Sequence, residues 1–193
     1  DALLWTVERE RANSGRWKQR FPMLGSHRMV RITGHRRENF GEGFENICLA
    51  LAELATRFPD LQFVYPVHLN PKVKDVVHRR LANHDRIHLL EPLPYPDLLE
   101  VMRRVYLVLS DSGGIQEETS YLGVPCFTLR DNTERPVTVE LGTNTMLGLD
   151  PARIPEITGL LEEKAGAPST PPPLWDGRAA ERIAEIIAAR DLS

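Results

Sequence analysis

The fold of this chain is decided by residues 105–125, which read VYLVLSDSGGIQEETSYLGVP. The apolar run 105–109 predicts a strand, and the segment 115–122 predicts a helix that ends at Gly123. A small polar turn with two glycines, 110–114, connects the two segments. Because strand, glycine turn and helix in this order form the half-unit of a parallel sheet, the stretch predicts an α/β domain.

The turn also has the chemistry of an anion-binding site. Amides at a helix start lack intrahelical acceptors and carry the positive end of the helix dipole, so they attract phosphate. Gly113 and Gly114 let the backbone approach a phosphate closely, and the Ser112 hydroxyl adds a donor. Glu118 lies about one helical turn further along, where a carboxylate can accept from two ribose hydroxyls. These residues predict a site for a nucleoside diphosphate.

The same pattern has a purely structural explanation, because glycine-rich turns between strands and helices are common in α/β domains. The turn matches neither the GxGxxG dinucleotide fingerprint nor the GxxxxGK[ST] P-loop. On this stretch alone, both the nucleotide site and a plain structural turn stay open.

Composition bounds the class of protein. The 193 residues are 41% hydrophobic and 26% charged with a formal net charge of −3, which is typical of a globular domain and gives no basic footprint for nucleic acid. No run approaches the roughly 20 apolar residues of a membrane span, and no signal peptide is recognisable. We therefore expect a cytoplasmic protein with neither nucleic acid nor membrane as a partner. Cys48 and Cys126 lie far apart in apolar segments, which favours buried free thiols over a disulfide.

Strand and helix patterns alternate along the chain, which predicts a doubly wound parallel sheet of about six strands with helices on both faces. The predicted strands are 29–33, 61–67, 87–90, 105–109, 126–129 and 143–147. The predicted helices are a short one within 1–20, then 44–58, 71–81, 95–103, 115–122, 136–141, 154–164 and 177–189, with a proline-rich linker over 165–173.

Ligands of such sheets bind at the carboxyl ends of the strands. Four polar clusters follow predicted strands, at 34–39, 68–70, 111–118 and 131–135. The topology therefore predicts that these clusters meet on one edge of the sheet and form a single cleft.

Charged side chains in the clusters are candidate functional residues. The first loop combines an imidazole, two fixed cations and a carboxylate, namely His35, Arg36, Arg37 and Glu38. His35 can move protons near neutral pH or donate to a phosphate, although a solvated surface loop explains the same residues. His68 at a strand end suits a structural cap as well as a ligand contact. Arg135 can bind phosphate oxygens with two parallel hydrogen bonds or be a surface arginine.

Other chemistry is less well supported. Four further histidines lack grouped acidic or cysteine partners, so we predict no metal site; they are His27, His78, His84 and His88. Trp5, Trp17 and Trp175 are expected to be packing residues rather than a platform for a sugar or base.

Four motifs in sequence carry a resemblance to a known family: TGHRREN (33–39), YPVHLNP (65–71), DSGGIQEE (111–118) and NTERP (132–136). In order and spacing they resemble the carboxyl-terminal half of the non-hydrolysing UDP-N-acetylglucosamine 2-epimerases, over about residues 28–190. The resemblance implies the GT-B architecture, in which two Rossmann-like domains enclose the active site. It also implies that this chain is the second domain.

The resemblance assigns roles to the matching residues. Ser112, Gly113 and Gly114 would hold the diphosphate of UDP, Glu118 would hold the ribose hydroxyls, and Arg135 would lie beside the phosphates. His35 matches a histidine that is required for catalysis. Three more residues match positions that touch a second UDP-sugar, an allosteric activator, in bacterial members: Arg36, Glu38 and His68. Val137 departs from the glutamate that follows NTERP in many members.

The implied reaction eliminates UDP across C1–C2 to give a 2-acetamidoglucal and adds it back with inversion at C2. UDP-N-acetylglucosamine (UDP-GlcNAc) becomes UDP-N-acetylmannosamine, and no nicotinamide or other cofactor is needed. The carboxylates that move the C2 proton belong to the family's amino-terminal domain. We therefore expect this chain to bind UDP weakly and not to epimerise by itself.

The implied organisation has three parts. Residues 1–20 would be a helix and linker from a missing amino-terminal domain, 21–165 the UDP-binding Rossmann-like domain, and 166–193 a proline-rich linker with a carboxyl-terminal helix. The expected partners are UDP-GlcNAc or UDP, the missing domain and, at full length, a second copy of the chain in a homodimer.

Three alternatives stay open at this point. A GT-B glycosyltransferase also binds UDP-sugars through a glycine turn and a ribose-binding glutamate, although TGHRREN and NTERP argue against it. A hydrolysing epimerase would release free N-acetylmannosamine and UDP. The chain could also be a non-catalytic nucleotide-binding fragment.

Overall fold

The computed structural model describes residues 1–10, 19–22, 28–34, 41–148, 150, 153, 159–160 and 171–191. The predicted helix 154–164 and the proline-rich segment 165–173 lie largely outside these residues, and the loop 35–40 lies wholly outside them.

Within the described residues, six parallel strands form one sheet in the order β3-β2-β1-β4-β5-β6. The strands are β1 (Arg28–Thr33), β2 (Leu61–Pro66), β3 (Ile87–Leu90), β4 (Leu107–Ser110), β5 (Cys126–Thr128) and β6 (Asn144–Met146). The chain runs outward from β1 to β3, crosses back, and continues outward from β4 to β6. This is the doubly wound order, so the predicted Rossmann-like parallel sheet is confirmed.

Helices connect the strands close to the predicted positions. In the described part of the chain they are α1 (Ala2–Glu10), α2 (Glu42–Arg57), α3 (Pro71–Leu81), α4 (Tyr95–Arg104), α5 (Gly113–Leu122), α6 (Pro136–Glu140) and α7 (Ala179–Asp191). Two boundaries within 105–125 differ from the prediction. The amide of Val105 donates to the carbonyl of Val101 at 3.1 Å and so closes α4, which delays β4 until Leu107. Helix α5 begins at Gly113 rather than at Ile115.

The side chains of β1 alternate between two apolar layers. Val30 and Ile32 pack with α2 and α3, whereas Met29 packs with α4 and α5. Both faces of the sheet are buried, as expected for parallel strands that helices cover. Arg31 is only 2% exposed and shares the face of Met29, so a guanidinium stands where the pattern calls for an apolar residue.

The strand order reverses between β1 and β4, and their carboxyl ends pair at Thr33 and Ser110. The amide of Asp111 donates to the carbonyl of Thr33 at 3.3 Å, which holds the start of the glycine turn against β1. Open parallel sheets bind ligands in the crevice outside this reversal point. The turn 110–114 therefore lies where this fold class binds ligands.

The first and last described segments pack on each other. The carboxylate of Asp1 caps α7, because its two oxygens accept from the amides of Ala179 and Ala180 at 3.1 and 2.8 Å. Gly177 lies against Leu4, and a Cβ built on it would come within 2.3 Å of the Leu4 Cδ1. Helix α1 and the segment before α7 thus form one wall beside α5.

Cys48 and Cys126 are buried free thiols, as predicted. Burial raises the pKa of the Cys48 thiol to about 12 and that of Cys126 to about 11. Both thiols are therefore protonated near neutral pH and are poor nucleophiles.

Candidate functional site

The site begins at the amino-terminal end of α5. Ser112 is the N-cap in an extended conformation, and its side chain makes no capping hydrogen bond with the described residues. The first intrahelical hydrogen bond runs from the amide of Gln116 to the carbonyl of Ser112 at 3.3 Å. The amides of Gly113, Gly114 and Ile115 consequently have no acceptor within the helix, which is the arrangement that attracts an anion.

Around Gly114, the described residues leave the space in front of this helix end open. Gly114 is exposed, and a methyl group built on it would meet no described atom within 4 Å. Ser112 is half-buried, and its amide donates to the Ser110 hydroxyl at 3.0 Å, which fixes the turn. Because α5 begins at Gly113, the two glycines form the first helical turn itself and not a loop that precedes it. The prediction of a longer glycine loop was therefore wrong in this detail.

Glu118 faces a cavity rather than the core. The cavity has a volume of about 330 Å³ and is lined by Glu118 together with Glu117, Tyr95 and Tyr121. The Tyr95 hydroxyl donates to the Oε1 of Glu118 at 2.8 Å and fixes the carboxylate. Burial raises the pKa of Glu118, while the Tyr95 hydrogen bond and the charge of Arg31 act in the opposite direction.

The opposite wall of the cavity comes from the ends of the described chain. It is built by Leu3, Leu4, Leu174 and Trp175, among others. Trp175 thus borders the candidate site, and Trp17 lies outside the described residues. The expectation of a packing role was wrong for Trp5, which is 64% exposed with the Arg9 guanidinium 5.1 Å from its ring centre.

Arg135 lies at the amino-terminal end of α6 and reaches α5. Its Nε is 2.9 Å from the Oε1 of Glu117, so the NTERP loop is linked to the residue next to Glu118. The Thr133 hydroxyl oxygen accepts from the amide of Arg135 at 3.0 Å and fixes the backbone. The Arg135 side chain is 45% exposed, which leaves it accessible to a ligand.

A buried polar network holds this loop against α5. The Oε1 of Gln116 accepts from the Thr133 hydroxyl at 2.5 Å and from the Asn144 amide at 3.1 Å. Asn144 in turn donates to the Thr138 hydroxyl at 3.1 Å and accepts from Thr128 at 2.6 Å. Gln116, Thr128, Thr138 and Asn144 are buried, so this network fixes the loop by internal hydrogen bonds that water does not weaken.

Of the remaining predicted residues, only His68 lies within the described part of the fold. His68 follows β2, which β1 separates from β4. Its Nδ1 accepts from the amide of Asn70 at 3.1 Å, and the Asn70 side chain accepts from the amide of Lys72 at 3.0 Å to cap α3. This is the structural-cap geometry, and it leaves a ligand role untested. His35, Arg36 and Glu38 lie outside the described residues.

Two residues of the site and one buried charge were missed by the sequence analysis. Glu117 and Tyr95 carried no signal, because a second glutamate and a tyrosine after a proline look like ordinary surface residues. Arg31 was included in a predicted strand without comment, although an arginine inside a parallel strand with two buried faces is itself a signal.

Two further observations concern the described residues. No helix among them is both long and apolar enough to cross a bilayer. No group of three or more of their histidine, cysteine, aspartate or glutamate side chains comes together in a way that would hold a metal ion.

Comparison with known proteins identifies the family. The model of the family described as UDP-N-acetylglucosamine 2-epimerase matches residues 1–188. The chain belongs to this family. The epimerase-family resemblance of the four motifs is thereby confirmed.

Individual relatives, one compared by sequence and two by structure, agree with this family. The UDP-N-acetylglucosamine 2-epimerase of Escherichia coli K12 is 40% identical over 201 residues, which cover 100% of this chain and 54% of that protein. The structure of the Neisseria meningitidis UDP-GlcNAc 2-epimerase bound to UDP-GlcNAc has a TM-score of 0.88 and 36% identity, covering 98% of this chain and 53% of that one. The S. aureus MnaA–UDP complex has a TM-score of 0.80 and 38% identity, and the match covers 86% of this chain and 47% of that one. This epimerase-family chain therefore spans about half the length of the relatives it matches.

Proposed function

We propose that this chain is the UDP-binding part of a UDP-N-acetylglucosamine 2-epimerase. The observation that carries the proposal is the helix end at Gly113–Gly114. It is unobstructed by the described residues at Gly114 and lies one helical turn from a carboxylate that faces a cavity. Family membership supports the same ligand, because relatives of similar fold are described as bound to UDP-GlcNAc or UDP.

In this proposal the pyrophosphate of UDP binds the free amides of α5. The Ser112 hydroxyl and the Arg135 guanidinium donate to its oxygens, and Glu118 accepts from the ribose hydroxyls. These contacts hold UDP while its bond to the sugar breaks and forms again, which suits a reaction that eliminates and re-adds UDP. The helix end also stabilises the charge that develops on the departing phosphate oxygen.

The proton at C2 must be moved by other groups. His35 is proposed as a catalytic residue, and the acidic groups are proposed to come from an amino-terminal domain that this chain does not include. Arg36, Glu38 and His68 are proposed contacts of a second UDP-sugar that acts as an activator. The full-length enzyme is proposed to be a cytoplasmic homodimer with the active site between its two domains.

Two experiments test the proposal. Calorimetry of the chain with UDP is expected to show weak binding that Glu118→Ala abolishes and that Glu53→Ala, at an exposed position on α2, leaves unchanged. Equal binding by the Glu118 variant would contradict the assigned role.

The second experiment addresses the reaction. The full-length protein, incubated with UDP-GlcNAc and no acceptor, is expected to give UDP-N-acetylmannosamine by NMR, whereas this chain alone gives none. Release of free N-acetylmannosamine would identify a hydrolysing enzyme, and transfer that requires an acceptor would identify a glycosyltransferase.

A further inference from the structure

The side-chain amide of Asn144 is the point at which the buried polar network divides into two branches. Asn144 lies on β6 and is only 1% exposed. Its Oδ1 accepts from the hydroxyl of Thr128, on the neighbouring strand β5, at 2.6 Å, and this hydrogen bond orients the amide. Its Nδ2 carries two hydrogens and donates to the Oε1 of Gln116 and to the hydroxyl of Thr138, each at 3.1 Å. One side chain therefore supplies both branches.

The first branch ends at the backbone N–H of Arg135. The Oε1 of Gln116, on α5, accepts from the Thr133 hydroxyl at 2.5 Å as well as from Asn144. Because a hydroxyl has a single proton, Thr133 donates that proton to Gln116 and accepts through its oxygen. The oxygen accepts from the amide of Arg135 at 3.0 Å. Hydrogen bonds thus connect Asn144 to this amide at every step.

The second branch ends at the backbone carbonyl of the same arginine. The Thr138 hydroxyl, on α6, accepts from Asn144 and donates its own proton to the carbonyl oxygen of Arg135 at 2.7 Å. The Thr138 amide donates to the same oxygen at 3.0 Å. Thr138 is fully buried, so water does not compete for its hydroxyl. The backbone of Arg135 is therefore held on both sides by side chains that lead back to Asn144.

Beyond this fixed backbone, the Arg135 side chain reaches α5. Its Nε is 2.9 Å from the Oε1 of Glu117, and the side chain is 45% exposed. A long side chain loses conformational entropy when it binds a ligand, and a mobile backbone would add to that loss. A backbone that is already fixed leaves only the side-chain torsions of Arg135 for a bound phosphate to order.

We propose that Asn144 is a positioning residue, which holds both sides of the Arg135 backbone and thereby keeps the guanidinium beside the first turn of α5. The proposal rests on the proposed phosphate-binding role of Arg135 and adds what places this cation. Asn144 is too deeply buried to contact a ligand, so it acts through the two branches of the network.

A separate pair of hydrogen bonds supports the NTERP loop without passing through Asn144. Arg130 is 5% exposed, and its guanidinium donates to the Oε2 of Glu134 and to the Oδ1 of Asn132, each at 3.0 Å. These bonds hold the residues on either side of Thr133. Removal of the Asn144 amide is therefore expected to loosen the backbone of Arg135 and not to unfold the loop.

The first test measures the hold on Arg135 directly and needs no ligand. Hydrogen exchange of the Arg135 backbone amide is followed by NMR in the wild type and in Asn144→Leu, which keeps a similar volume and removes the amide. Exchange at Arg135 is expected to become about five- to tenfold faster, because the first branch loses a supporting hydrogen bond. An unchanged rate would overturn the proposal.

Two controls separate this effect from a general loss of stability. The amide of Val67, which donates to the carbonyl of Leu90 at 2.9 Å on the far side of the sheet, is the internal reference in Asn144→Leu. Equal acceleration at Val67 and Arg135 would overturn the proposal. Thr143→Val is the matched variant, since the Thr143 hydroxyl donates to the Val124 carbonyl at 2.6 Å, outside the network. It is expected to leave exchange at Arg135 unchanged.

Variants of Thr133 cover the case in which Asn144→Leu does not fold. Thr133 is half-buried, and Thr133→Val keeps its shape and removes its hydroxyl. The Arg135 amide is expected to exchange faster in Thr133→Val and at nearly the wild-type rate in Thr133→Ser, which retains a hydroxyl. Equal rates in Thr133→Val and the wild type would break the first branch and overturn the proposal.

The last arm connects the hold on Arg135 with ligand binding. UDP affinity is measured by calorimetry for the wild type, Asn144→Leu, Arg135→Ala and the double variant. If Asn144 acts through Arg135, Asn144→Leu weakens UDP binding severalfold in the wild-type background and has no effect once Arg135 is Ala. Equal weakening in both backgrounds would overturn the positioning role. Absence of UDP binding by the wild type would refute the proposed function, whereas the exchange rates would still decide whether Asn144 holds Arg135.

Discussion

The Nε of Arg135 lies 2.9 Å from the Oε1 of Glu117, so the candidate phosphate-binding cation is already paired with a carboxylate beside Glu118. Both side chains are more than 40% exposed, which makes the pair weak and easily exchanged. A phosphate that arrives at the end of α5 would therefore compete with Glu117 for the same guanidinium.

The first prediction follows from this competition. Glu117→Gln releases Arg135 and removes a negative charge next to the phosphates, so UDP should bind up to about fivefold more tightly, the equivalent of about 1 kcal/mol. Calorimetry at low and high salt checks it, and the gain should shrink at high salt. In an Arg135→Ala background most of the gain should disappear. Weaker binding by Glu117→Gln would mean that Glu117 orients Arg135 and does not compete for it.

The second prediction concerns Gly114. A methyl group there meets no described atom within 4 Å, and alanine favours a helix over glycine by about 0.5–1 kcal/mol. Gly114→Ala should therefore keep or raise the thermal midpoint, while UDP affinity should fall about tenfold because the methyl group occupies the approach of the phosphate. Thermal melts and calorimetry on one preparation separate the two effects. Unchanged affinity would place the phosphate elsewhere.

The third prediction tests the packing behind the NTERP loop. A Cβ on Gly142 would come within 2.3 Å of the Ser120 Oγ and 2.6 Å of the Thr138 carbonyl oxygen. Gly142→Ala should therefore lower the free energy of unfolding by about 1–3 kcal/mol, measured by denaturant titration. Gly43→Ala in α2 is the matched control, because a Cβ there meets no described atom within 4 Å. A loss of stability in Gly43→Ala would show that steric crowding is not the cause of the destabilisation in Gly142→Ala.

The fourth prediction concerns pH. Burial raises the pKa of Glu118, so this carboxylate becomes protonated at a higher pH than an exposed glutamate. UDP affinity should therefore fall as the pH is lowered and Glu118 takes up its proton. The stability of the unliganded protein depends on pH in the opposite direction and falls as the pH rises. Because the folded pKa is raised, the contribution of this carboxyl to stability is fully present below its unfolded pKa and is lost as the pH rises through the folded value.

The terminal phosphate of UDP also titrates at about pH 6, so Glu118→Gln provides the baseline. Affinity profiles of the wild type and this variant should converge at low pH and diverge above the Glu118 midpoint. Parallel profiles over the whole range would show that ionised Glu118 does not contribute to binding.

The fold was predictable because local patterns and topology agreed. The run of β4, the stop at Gly123 and the proline at the start of α3 each mark an element, and alternation then requires a parallel sheet. Gly123 has a φ of 71°, a conformation that glycine adopts without strain, so the glycine itself predicted the end of the helix. The prediction placed the start of α5 two residues too late, since two consecutive glycines are typical of a loop.

The site was only partly predictable, because pairings between distant elements leave no local pattern. Tyr95 and Glu118 are 23 residues apart in the chain, and the whole of β5 lies between Glu117 and Arg135. A strand pattern also says nothing of the burial of Arg31, since it states that the position is in a strand but not that a guanidinium there is 2% exposed. Such contacts follow from packing, which only the folded chain supplies.

The two outermost strands of the sheet are short, with four residues in β3 and three in β6. A neighbouring molecule would find little backbone at either edge on which to add a strand of its own. Self-association of this domain should therefore proceed through helical faces rather than through extension of the sheet, and the same brevity protects it against edge-to-edge aggregation during expression.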